Sequence, residues 1–153
     1  MRFYGFGRNT MTGHKQVEVE VDEDFQILVD EGLEDVIKDF FHWEIETCNS
    51  CIDYKGSVWI EFCDFHDWEQ FLELALRNNI AVNGTGYKRE TLWTFLQEKS
   101  KAKVVFDEEV IDNPNEEDAF LGTGVLVICV GLNFPRELLN EFKELLFEVL
   151  PPE

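Results

Sequence analysis

Between Gln16 and Val21 the chain alternates strictly: Val17, Val19 and Val21 are apolar, and Gln16, Glu18 and Glu20 are polar. That period of two belongs to a strand with one buried and one wet face. Paired with "RFYGFG" across the turn-rich "RNTMTGH", the segment predicts a hairpin. Beyond "DEDF" the period changes. Leu33, Val36, Ile37 and Phe40 recur at helical spacing through "DEGLEDVIKDFF", with Glu34, Asp35 and Asp39 on the opposite, solvent side.

The same order returns twice. "HWEIET" and "SVWIEFC" predict strands joined across "NSCIDYKG", where Lys55-Gly56 supplies the turn. A helix is expected from about Asp67, with Gln70 three residues on in a capping-box-like start. Phe71, Leu72, Ala75 and Leu76 make its apolar stripe. Near the end, "AKVVFDEEVI" and "GVLVICVGL" flank the acidic "DNPNEEDAFLGTG". The second of these is apolar on both faces and predicts a central strand. Pro135 suits the first turn of a final helix. The stripe of that helix is Leu138, Phe142, Leu145, Leu146 and Val149, and Pro151-Pro152 ends it. Residues 79–100 break the pattern. "NNIAVNGTGYKRE" is loop-like, and in "ETLWTFLQEK" Leu92, Phe95 and Leu96 fit a helix whereas Trp93 and Phe95 also fit a strand.

These elements predict one α+β domain over residues 1–153. Strand-strand-helix units, at about 2–41, 43–78 and 102–150, build a mostly antiparallel sheet of about six strands with helices packed on one face. Composition agrees, since 44% of the 153 residues are hydrophobic and 14 are phenylalanine, enough for a sizeable core. The likeness between "GSVWIEFCDFHDWEQFLELAL" and "GTGVLVICVGLNFPRELLNEFKELL" is one of pattern, and any strand followed by an amphipathic helix shows it. The start of the chain has no apolar block of signal-peptide type, and the apolar runs fall short of a membrane span. A cytoplasmic protein with reduced thiols is expected.

Charge narrows the choice of partner. Thirty-two acidic against thirteen basic residues give a net −19, which disfavours direct contact with nucleic acid or anionic membrane. Residues 107–120 hold seven carboxylates and no basic side chain, directly after the basic stretch 83–106. Asp107, Glu108, Glu109, Asp112, Glu116, Glu117 and Asp118 are therefore the candidate partner-binding residues. A row of carboxylates can stand in for phosphates in the basic groove of a nuclease or other nucleic-acid enzyme. The expected function is a non-enzymatic acidic protein-binding module, an inhibitor of the immunity or anti-defence kind that blocks a basic protein. The competing explanation for the acidity is simple solubility.

Two alternatives come from other residues. Cys48, Cys51, Cys63 and His66 spell C-x2-C-x11-C-x2-H, two short-spaced pairs of the kind that hold structural zinc. If the hairpin turns near Asp53 to Gly56, Cys63 lies opposite Glu46, close to Cys48. Against zinc, Ile52 stands where knuckles carry glycine, and a strand between the pairs would hold Cys51 away from Cys63. Cys-x-x-Cys in a hairpin beside Glu46 and Asp53 also lacks the helix N-terminus of a redox motif. Cys129, within "LVICV", reads as core. The second alternative is a small hydrolase using acidic residues. Its catalytic pair cannot be singled out among so many carboxylates, and no residue is assigned to it.

Overall fold

The computed structural model describes residues 15–52, 56–80, 89–110 and 124–152, with 106–110 and 124–127 as backbone. Six strands and four α-helices follow in the order β1 (Gln16–Asp22), β2 (Phe25–Asp30), α1 (Glu34–His42), β3 (Thr47–Ile52), β4 (Ser57–Phe62), α2 (Phe65–Arg77), α3 (Leu92–Glu98), β5 (Lys101–Val110), β6 (Gly124–Pro135) and α4 (Leu139–Val149). A 3₁₀ turn, Arg136–Leu138, leads into α4. All pairings are antiparallel, and the class is the α+β one that the patterning predicts.

The strands divide into a four-stranded sheet, ordered β3-β4-β6-β5, and a separate β1–β2 ribbon. In the larger sheet two hairpins meet along β4 and β6, whose partners run from Ser57↔Pro135 to Phe62↔Val130. Alternation then sorts the side chains. Val58, Ile60 and Phe62 of β4 share one face with Val130, Leu132 and Phe134 of β6, all essentially sealed from water. Helices cover that face. Phe62 stacks on Phe71 of α2 with ring centroids 5.4 Å apart, and Phe40 of α1 meets both edge-on. Phe134 packs on Phe142 of α4 at 4.7 Å, with Phe95 of α3 beside them. Aromatic rings at these separations add specific orientation to a large buried area.

The ribbon docks through Val19, Ile27 and Val29, and through one carboxylate. Asp30, 2% exposed, accepts the Ile52 backbone N–H at 2.7 Å, so the edge of β3 is tied to the end of β2. A charge-assisted bond of this kind removes an orphan donor from a sheet edge.

The patterning errs in identifiable places. β1 pairs with β2, "FQILVD", which the sequence reading passes over as the approach to a helix; "RFYGFG" lies outside the described residues. β3 runs through "TCNSCI" instead of "HWEIET", so the stretch taken for a connection is ladder. The cap of α2 is Asp64, whose side chain accepts from the Asp67 N–H at 3.0 Å, while Gln70 reaches back to the Trp43 carbonyl. Leu76, placed in the stripe of α2, is 52% exposed, and Asp39, placed toward water, is 3% exposed. The ambiguous segment 92–98 is helical, capped by a reciprocal pair of bonds between Thr91 and Thr94. That pair of caps settles what seven residues of apolar spacing leave open.

Candidate functional site

The face of the sheet opposite the helices would ordinarily be polar and wet. Here it carries a buried knot of thiols and carboxylate at the centre of the sheet. Alternation along β4 sends Trp59 and Glu61 to this face, and the register sets Gly131 and Asn133 of β6 beside them. Cys63 follows Glu61 just past the strand end, and Cys129 precedes Gly131, so both carry the same parity.

A β-bulge brings in the fourth member. Thr47 pairs with Phe62 and Asn49 with Glu61, which leaves Cys48 as an extra residue of β3. Such insertions bend the strand and re-aim one side chain. The re-aimed Cys48 thiol donates to Glu61 Oε2 at 2.9 Å. Its other thiol neighbour is Cys63, and the Cys129 thiol donates to the Cys63 carbonyl at 3.1 Å. The Cys63 N–H in turn bonds the Glu46 carbonyl at 3.0 Å, the opposition expected from the hairpin turn.

Burial of the knot is deep: Glu61 and Cys129 are 2% exposed and Cys63 9%, whereas Cys48 is half-buried. Trp59 contributes to the cover. Its indole lies across Gly131, the residue opposite Glu61, so closely that a Cβ on Gly131 would stand 1.9 Å from the ring. Only glycine allows that approach. Hydrogen bonding to Cys63, burial and the Glu61 carboxylate all push the Cys48 thiol pKa up, so the thiol is held protonated.

Two trios of metal-competent side chains have ligand atoms within 4.8 Å of one another among the described residues: Cys48, Glu61 and Cys129, and, next to them, Glu46, Cys63 and Asp67. Of the set predicted from spacing, the fold brings Cys48 and Cys63 together and leaves the other two apart. Cys51 stays in the ladder opposite Trp59, four residues from Cys63 along β4, or roughly 14 Å at the rise of a strand. His66 is exposed in the first turn of α2. Neither belongs to a trio. The spaced quartet therefore does not close on one point, because "CNSC" remains extended. The spacing marks neither Glu61 nor the core residue Cys129 as a ligand, since cross-strand neighbours leave no trace in it. The one hint is an acidic residue inside the otherwise apolar "VWIEF" of a central strand.

The acidic candidates are placed in part. Asp107, Glu108 and Glu109 occupy β5, opposite Val127, Leu126 and Val125 on the outermost strand of the sheet. Asp112, Glu116, Glu117 and Asp118 lie outside the described residues. A second acidic surface is not marked as a site by the charge pattern of the sequence. Glu18, Glu20, Asp22, Glu23 and Asp24 are all exposed on the outer face and tip of the β1–β2 ribbon. At its foot a hollow of about 440 Å³ is lined by Glu18, Glu20, Glu34 and Asp35 together with Lys38 and Lys143. Lys143 bonds Asp35 at 3.1 Å.

No helix among the described residues is long and apolar enough to cross a membrane. No protein-family model matches the chain, and neither a curated protein nor a solved structure matches it.

Proposed function

We propose that the protein is a non-enzymatic, cytoplasmic binding module that engages a basic protein through its carboxylate surfaces. Its action would be that of an inhibitor, of the immunity or anti-defence kind, directed at a nucleic-acid-handling partner. The observation that supports this reading is the outer face of the β1–β2 ribbon. Five exposed carboxylates stand on a nine-residue arm, and among the described residues none of Glu18, Glu20, Glu23 and Asp24 forms an ion pair. Their mutual repulsion is a standing cost that an incoming cationic surface relieves. In a chain of net charge −19 the field they add to steers such a surface over distances of about a Debye length, roughly 8 Å at physiological salt. The carboxylates of β5 and of residues 112–118 supply a second stretch of the same chemistry.

The test starts from the whole protein, immobilised and exposed to an extract of its native host, followed by association kinetics with the captured protein. Two variants divide the surface. One neutralises Glu18, Glu20, Glu23 and Asp24; the other replaces Glu109, Asp112, Glu116, Glu117 and Asp118 with Ser or Asn. Each is expected to fold, and at least one to slow association by on the order of tenfold or more at low salt, with the difference shrinking as salt rises. Binding that ignores salt and both sets of substitutions sinks the proposal.

A further inference from the structure

We propose that Cys48, Cys63, Cys129 and Glu61 form a four-coordinate site for a soft divalent cation, zinc in the first instance, on the helix-free face of the sheet. The site is independent of the acidic surface and differs in half its members from the set that spacing suggests.

Four observations support it. The donors are of the right kind: thiolates with one carboxylate are ligands of tetrahedral zinc, at about 2.3 Å from sulfur and about 2.0–2.2 Å from oxygen. Those bond lengths put ligand atoms about 3.5–3.8 Å apart at the corners of a tetrahedron. The thiol and carboxylate atoms of Cys48, Glu61 and Cys129 already lie within 4.8 Å of one another, and the Cys63 thiol, which belongs to the adjoining trio with Glu46 and Asp67, is hydrogen-bonded to Cys48. A contraction of about one ångström brings those three to bonding distance, and rotation of the Cys63 side chain from its place beside Cys48 supplies the fourth corner.

Burial also fits. A carboxylate 2% exposed stands against the Cys48 thiol at the centre of the trio. A cation at the same point would meet ligands already shielded from water. Three thiolates, one carboxylate and a divalent ion sum to a net −2, the same charge as the four-thiolate sites that stabilise many small domains. Access comes from one side. Cys48 is half-buried while its three companions are sealed, so the ion would enter past the bulge.

Backbone irregularity points the same way. The bulge that turns Cys48 onto Glu61 interrupts an otherwise regular β3–β4 ladder at that one place. Bulges cluster where a side chain must be aimed. With all four positions filled by protein the site is structural, and it would staple β3, β4 and β6 to one another. Ion binding exchanges the thiol protons for the metal: the protons of Cys48, Cys63 and Cys129 leave to solvent, and no redox step occurs.

The experiment uses the purified full-length chain, reduced and stripped of metal. Titration with cobalt(II) is expected to saturate at one ion per chain. Thiolate-to-cobalt charge-transfer bands of three-sulfur intensity and the visible bands of a tetrahedral centre should appear, and zinc(II) should abolish them stoichiometrically. Cys129→Ser, Cys48→Ser and Glu61→Gln should each weaken binding by about tenfold or more, while a Cys51→Ser, His66→Ala double variant keeps the parent affinity. Zinc should also raise the melting temperature of the parent chain and of that double variant. The titration of the parent chain decides the matter even where a cysteine variant fails to fold. Absence of a saturating thiolate–cobalt spectrum overturns the proposal. So does an equal loss of binding in the Cys51→Ser, His66→Ala chain. So does oxidation to a Cys48–Cys63 disulfide in a protein that takes up no metal.

Discussion

Asp39 offers a direct test of the electrostatics of the core, because its carboxyl is buried without a hydrogen-bond partner. The residue is 3% exposed in the middle of α1, and neither of its oxygens has a hydrogen-bond partner. Burial pushes its pKa from 3.8 up to about 6; the His42 imidazole one turn on pulls it part of the way back, and Asp35 adds to the rise. A carboxyl with a raised folded-state pKa binds its proton more tightly in the native chain than in the unfolded one. Its contribution to stability is therefore complete below pH 3.8 and is lost as the pH climbs to about 6. The two pKa values convert, at 1.36 kcal/mol per unit, to at most about 3 kcal/mol; water reaching the helix surface reduces this, and about 1–3 kcal/mol is the working figure. Asp39→Asn keeps the shape and removes the charge. Urea unfolding near neutral pH should find the variant more stable by that amount, a midpoint shift on the order of 1 M for a chain of this size. Near pH 4 the two proteins should converge, since both then carry a neutral group. A gain that persists unchanged in acid, or a variant no more stable than its parent at neutral pH, refutes the assignment of Asp39 as an ionised, unpartnered core carboxylate.

Three other substitutions probe the frame around the thiol site. Asp30→Ala should cost about 1.5–3 kcal/mol by orphaning the Ile52 N–H, and amide exchange at Ile52 should accelerate more than exchange elsewhere in β3. Gly131→Ala forces the Trp59 ring off the strand and should destabilise by about 1–3 kcal/mol in thermal melts. Adding Trp59→Leu to that variant should recover part of the loss, and failure to recover any would show that the clash lies elsewhere. Asp64→Ala removes the cap of α2 and should cost about 1 kcal/mol, read as a lower melting temperature with the ultraviolet signature of helix retained in the native state.

Much of the architecture was legible because amphipathic periodicity is a local property. The stripes Leu33, Val36, Ile37, Phe40 and Phe142, Leu145, Leu146, Val149 are buried as their spacing requires. The central position of "VLVICVGL" follows from its having no polar face. The failures have a common origin too. β2 is not legible in the pattern because "FQILVD" is short and sits against a helix start, where propensity alone favours neither state. Asp39 looks solvent-facing in the sequence because a helical stripe is defined by apolar residues only, and a carboxylate inside it resembles the edge of the wet face.

The thiol site shows where local reasoning ends. By itself the sequence determined that there would be strands, helices, an apolar core and an acidic exterior, since each depends on neighbours within a few positions. It also supplied every residue of the knot. Which of them meet was decided by the tertiary structure alone. A one-residue bulge at Cys48 and the register of β4 on β6 bring together residues up to 81 positions apart, Cys48 and Cys129. The same extended backbone keeps Cys51, three positions from Cys48, out of reach. Spacing along a chain reports distance only where the backbone turns back on itself, and in a strand it does not.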